Sequence, residues 1–199
     1  MGFLDRFSLD LDFDIKPKSD LKMIDKELKK IFSFLELKLD KKSSRSLLYV
    51  LKYPSLKGQR NTIKLSLIDY PLKSNQYETF HLKEIDRFAI CQTKETMFAN
   101  KLVAVFDRYQ KYKTIAGRDL YDIHHFFLSG YDYLDEVIIE RTGKKPKDYL
   151  KELINFIEKK VDDKVISQDL IFLLPYEKFL KIRKVLKREV LMWLRGEVS

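Results

Sequence analysis

Between Ser8 and Ile15 the chain reads SLDLDFDI. Leu9, Leu11, Phe13 and Ile15 alternate with Asp10, Asp12 and Asp14, a period of two that predicts a strand with one apolar and one acidic face. Pro17 ends it. A helix is predicted from Ser19 or Asp20, either of which can cap it, to about Leu39. Its apolar stripe is Leu21, Ile24, Leu28, Ile31, Phe32 and Leu35. Two further strands, Ser46–Tyr53 and Thr62–Ile68, flank a turn region containing Pro, Gly and Lys, and Phe80–Ile85 adds a short one. From about Thr93 the period becomes helical. Helices are predicted at Thr93–Tyr109, Arg118–Leu128 (entered after Gly117), Tyr149–Val161, Ser167–Leu174 and, beyond Pro175, Tyr176–Leu194. There is no internal repeat. Strands first and helices afterwards predict an α+β fold, with a small mixed β-sheet domain over residues 1–92 and a helical domain over 93–199.

Composition adds a core and a charge. The 199 residues are 45% hydrophobic and include 14 Phe and 11 Tyr, enough for a sizeable aromatic core. The net charge of +9 and pI of about 9.3 favour anionic partners such as nucleotides or nucleic acid, although many lysines serve only as a solvated face. Cys91 is the single cysteine, so no disulfide framework and no Cys-based zinc site can be built. His81, His124 and His125 do not have metal-ligand spacing. The acidic, alternating start is unlike a signal peptide, and no apolar run of about 18 residues predicts a transmembrane helix. These features predict a cytoplasmic protein with no membrane partner.

Three constellations carry chemistry. Asp10 and Asp12 are two apart on a strand, so their carboxylates share a face. Such a pair repels itself unless a cation lies between, and Mg²⁺ takes hard oxygen ligands while keeping some waters and phosphate oxygens. Acidic residues on an exposed strand face are also ordinary. Lys101 and Arg108, in NKLVAVFDR, are seven apart and share a helix face that can grip phosphates or simply face solvent. In GRDLYDIHH, Arg118, Asp122 and His125 follow one helical stripe, with Asp119 beside them. This is either an anion-oriented site at a helix N-terminus or a local salt bridge in a bundle.

In this order, RFSLDLDF, NKLVAVFDR and GRDLYDIHHF resemble the AbiEii/AbiGii-type nucleotidyltransferase toxins of the polymerase-beta-like nucleotidyltransferase superfamily. The resemblance covers roughly residues 5–130, and RDLYD is its most distinctive stretch. It implies that Ser8, Asp10 and Asp12 bind a metal-nucleotide, with Asp10 and Asp12 as ligands of Mg²⁺ or Mn²⁺. It implies that Lys101, with Arg108, contacts the phosphates of an NTP substrate. It further implies that Asp119 or Asp122 orients or deprotonates the attacking hydroxyl, with Arg118 fixing it. The implied activity is transfer of a nucleotide to tRNA or another macromolecule by the toxin of a toxin–antitoxin pair, with a cognate antitoxin as partner. The family's glycine-rich loop has only Gly2 to match it before Ser8, which leaves three expectations: an N-terminally truncated version of a longer protein, a separate chain that supplies the missing part, or a fold that survives without catalysis. A third carboxylate, common in the superfamily, is replaced on IKLSLID by Ser66, with Asp69 the nearest acid. The alternative function is a degenerate fold that holds RNA or a protein partner without turnover.

Overall fold

The computed structural model describes residues 4–8, 10–43, 47–57, 59 and 61–199. Its contacts divide the chain into two units, Ser8–Pro71 and Met1–Phe7 with Leu72–Ser199.

The first unit is a four-stranded mixed sheet with one helix. The strands are β1 (Asp10–Asp14), β2 (Lys38–Lys42), β3 (Leu47–Lys52) and β4 (Thr62–Ile68), in the order β1-β4-β3-β2. β1 runs parallel to β4, and the other pairings are antiparallel. The alternation over Ser8–Ile15 thus forms the predicted strand, and Leu9, like Ser46 of the second predicted strand, lies outside the described residues. Helix α1 (Leu21–Phe34) begins at Asp20, whose carboxylate accepts from the N–H groups of Lys22 and Met23. It stops well short of Leu39. Glu36 takes a positive φ of 54° and Leu37 donates back to the Phe32 carbonyl, turning the chain into β2. The sequence KLDKK that follows is fully exposed along the sheet edge, where lysines discourage pairing with another strand. Its polarity hid the strand from hydrophobic periodicity. Phe32, Tyr49, Leu51 and Leu65 form the core of this unit, joined by Leu28 and Leu67.

The second unit contains a hairpin and seven helices among the described residues. The hairpin, β5 (Tyr77–Leu82) and β6 (Arg87–Gln92), replaces the single short strand predicted at Phe80–Ile85, and a 3-10 turn with Asp86 in the left-handed region joins its strands. It precedes residue 93 yet belongs with the helices. Leu72 packs on the helical core, Lys73 and Ser74 donate to Glu140, and the Gln76 N–H donates to Thr96. The division of contacts therefore falls at Pro71, whereas composition put it at 92.

The helices are α2 (Lys94–Tyr112), α3 (Gly117–Leu128), α4 (Asp135–Thr142), α5 (Pro146–Lys160), α6 (Asp163–Leu170), α7 (Tyr176–Ile182) and α8 (Leu186–Val198). The eight-residue α4 was not predicted, being too short for a clear period. α6 starts earlier than Ser167 because Asp162 caps it through the Val165 N–H. The long helix predicted over Tyr176–Leu194 is split into α7 and α8 by a turn at 183–185. Buried Phe98, Leu102, Ile123, Phe126, Leu153 and Ile157 are among the core residues, with Phe98 stacked on Phe126 at 4.9 Å. Gly117 opens α3 where the helix meets α6. A Cβ there would lie 2.6 Å from the Ile166 carbonyl oxygen, so only glycine permits this approach. No helix among the described residues is long and apolar enough to cross a membrane.

Candidate active site

In the sheet unit, β1 presents Asp10, Asp12 and Asp14 on one face. The parallel register sets Asp10 beside Lys64, Asp12 beside Ser66 and Asp14 beside Ile68 on β4. Ser66, rather than an acid, thus stands next to the carboxylate pair. Asp10 is half-buried and Asp12 exposed. No ion pair or side-chain hydrogen bond to a described residue engages either carboxylate. Ser8 lies at the strand entrance, its hydroxyl donating to the Asp10 carbonyl over 3.2 Å. Two adjacent carboxylates without an ion pair among the described residues suit a hard divalent cation that completes its shell with water and phosphate oxygens. They do not form a self-sufficient cage, and no group of three or more metal-ligating side chains occurs among the described residues.

The helical unit holds the other charged residues. Asp119 stands in the first turn of α3 and Asp122 three residues on, and both are fully buried. A buried carboxylate is costly unless paired and hydrogen-bonded, and the helix N-terminus offsets only part of that cost. Here the pairing comes from two other segments. On α2, Lys101 Nζ lies 2.9 Å from Asp122 Oδ2 and 3.6 Å from Asp119 Oδ1, while Arg108 Nε donates to Asp119 Oδ2 over 2.9 Å. From the N-terminal segment, Arg6 grips Asp122 with a fork, Nε to Oδ1 and Nη2 to Oδ2, both at 2.6 Å. Three cations thus meet two carboxylates and leave a surplus positive charge.

The exposures sort these cations. The Arg6 side chain is 7% accessible, Lys101 32% and Arg108 31%. Arg6 is therefore an internal counter-ion, whereas Lys101 and Arg108 can also meet a solvent-borne anion. Asp119 Oδ1 is buried without a hydrogen-bond partner among the described residues, with Lys101 Nζ the cation facing it.

The segment carrying Arg6 is anchored on both sides. Phe7 N–H donates to the Leu173 carbonyl at 3.1 Å. Asp5 pairs with Lys178 and accepts from the Tyr121 hydroxyl at 2.6 Å. Burial and the bond to Asp5 push the Tyr121 phenol up to about 12. Burial acts to raise the Asp5 carboxyl, but the bonds from Lys178 and Tyr121 outweigh it and hold Asp5 below the usual carboxylate range.

Within the helical unit, the structure thus brings Lys101, Arg108, Asp119 and Asp122 together. Arg118 points elsewhere, its Nη1 lying 3.7 Å from Asp169 on α6, so it does not pair with Asp122 as their four-residue spacing allowed. Sequence reasoning missed Arg6. It stands two residues before Ser8, but its partner is 116 positions away and no periodicity marks it.

A family model described as "Nucleotidyl transferase AbiEii toxin, Type IV TA system" matches residues 1–181. No curated protein and no solved structure matches the chain.

Proposed function

The chain belongs to the AbiEii family of nucleotidyl transferase toxins, and from that premise we propose that it transfers a nucleotide from an NTP to a hydroxyl of tRNA or another macromolecule. The observation that carries this reading is the surplus cation of the helical unit. Two buried carboxylates hold Lys101 and Arg108 in place while leaving about a third of each side chain accessible.

In the proposed reaction the acceptor hydroxyl oxygen bonds to the α-phosphorus, the bond to the pyrophosphate oxygen breaks to release pyrophosphate, and the hydroxyl proton passes to solvent water. Negative charge grows on the phosphate oxygens, and the two cations stabilise it without reorganising as it forms. Asp122 acts as a positioning residue, because its oxygens are taken by Arg6 and Lys101. Asp119 positions Arg108 in the same way. Asp10 and Asp12 would hold Mg²⁺ or Mn²⁺, which supplies neutralisation of the triphosphate. Ser8 orders the entrance to that strand, and Arg118 braces α3 against α6. The family description places the chain in a type IV toxin–antitoxin system, which implies a cognate antitoxin.

The test is incubation with labelled NTP, Mg²⁺ and total tRNA. Label should enter the acceptor, and Lys101→Ala should lower transfer by at least about a hundredfold, the scale of losing one charge-stabilising donor. Mg²⁺ with NTP should also raise the melting temperature by mass action, and combined Asp10→Ala and Asp12→Ala should remove that shift. Transfer that survives Lys101→Ala would refute the assignment of the phosphate site.

A further inference from the structure

The helical unit carries a second basic surface that the transfer chemistry does not use. Leu128 at the end of α3 and Arg188, Glu189, Met192, Trp193 and Arg195 on α8 line an open groove of about 600 Å³. Leu128, Met192 and Trp193 are all exposed there. α8 lies beyond the residues matched by the family model.

The charge of this region is one-sided. From Tyr176 to Val198 there are seven Lys or Arg against three Glu. Two of the acids are already engaged, Glu189 with His124 at 2.7 Å and Glu197 with the Tyr133 hydroxyl at 2.9 Å. Lys181, Lys184 and Arg188 are exposed and form no ion pair with a described residue. Arg188, Met192 and Arg195 follow one stripe of α8 at four- and three-residue steps, which spans roughly 10 Å of helix axis. Arg195 spends one nitrogen on Glu158 and keeps more than half of its side chain exposed.

The aromatic ring is fixed as well as exposed. Trp193 stacks on the buried Phe127 with ring centroids 5.9 Å apart and planes within 8°. Its orientation is therefore set from below. A rigid π face flanked by exposed cations has the two parts of a single-strand platform: bases stack on the ring, and phosphates meet the cations. An amphipathic partner helix needs a longer row of apolar anchors, at i, i+3, i+4 and i+7, than Leu128, Met192 and Trp193 supply.

We propose that the α8 groove binds single-stranded nucleic acid, with a base stacked on Trp193 and the backbone held by Arg188 and Arg195. The proposal stands on this surface alone and does not depend on nucleotide transfer.

Trp193 is the only tryptophan in the chain, so its fluorescence reports the event directly. We would titrate the full chain with an unstructured single-stranded RNA, a DNA of the same sequence, and polyglutamate of matched charge. Either oligonucleotide should quench Trp193 saturably, with a slope of log affinity against log salt of about −1.4 for two neutralised phosphates. Equal binding of RNA and DNA assigns recognition to phosphates and base faces; a preference for RNA adds the 2′-hydroxyl; both outcomes support the proposal. Arg188→Glu should weaken binding by about tenfold without changing the melting temperature, since this side chain lines the groove, is exposed and forms no ion pair with a described residue. Lys101→Ala should leave the quenching unchanged, which separates this surface from the phosphate site. Polyglutamate binding as tightly as the oligonucleotides would identify a protein-type partner and overturn the proposal. So would an unchanged affinity in the charge-reversed variant, or loss of quenching in Lys101→Ala.

Discussion

Replacing Arg6 with alanine tests the architecture of the charged cluster. The change removes two 2.6 Å charge-assisted bonds and leaves the Asp122 carboxylate, which has no solvent access, with Lys101 as its cation. Lys101 is a third exposed and compensates only in part. Stripping one partner from a buried ion pair costs about 3–5 kcal/mol, because the remaining charge keeps its desolvation penalty. For a chain of this size that corresponds to a melting temperature lowered by roughly 10 °C. Urea denaturation followed by Trp193 fluorescence reads the helical unit specifically. Adding Asp122→Asn removes the stranded charge, so the double variant should lose less than the sum of the two single variants, by about 1–3 kcal/mol of coupling. The coupling should persist in high salt, since a buried pair is poorly screened. Additivity within about 0.5 kcal/mol would show that the fork contributes nothing specific.

Two other predictions follow from neighbouring contacts. Gly117→Ala should destabilise the helical unit by about 1–3 kcal/mol, because the new Cβ meets backbone of α6 rather than a side chain that can turn away; an unchanged urea midpoint would contradict this. Asp5 should make the N-terminal anchor acid-labile. A carboxyl whose folded pKa is depressed contributes stability above its unfolded pKa and loses it as pH falls through the folded value. Wild type should therefore lose stability below about pH 4 more steeply than Asp5→Asn, whereas parallel acid limbs would show that the pairing with Lys178 and Tyr121 is not maintained in solution.

Much of this fold could be read from the chain because its pattern is local. The alternation of Leu11 and Phe13 with the aspartates marks β1, and the apolar stripes of α2, α3 and α5 mark helices whose buried faces the structure shows. β2 could not be read in this way, since an exposed edge strand has no buried face to impose a period. The hairpin β5–β6 was only half visible, since Phe88 and Ile90 on its second strand remain exposed. The acidic pair on α3 and the cations on α2 announced themselves by spacing. Their mutual distances did not, because these depend on how two helices cross. Arg6 needed tertiary structure altogether, as does the choice of Arg118 for Asp169.

The fork from Arg6 also has a consequence in time. Arg6 is synthesised 116 residues before Asp122, and Phe7 long before Leu173, to which it is bonded. At about 5–20 residues per second, a nascent chain carries this arginine unmatched for roughly ten seconds. The sheet unit, contiguous from Ser8 to Pro71, has all its strands available within that interval. The charged cluster, by contrast, can close only after α3 has left the ribosome, and its anchor only after residues 173–178 have followed. The two cations proposed to grip phosphate therefore reach their supported arrangement only once α3 and the segment through Lys178 have been made.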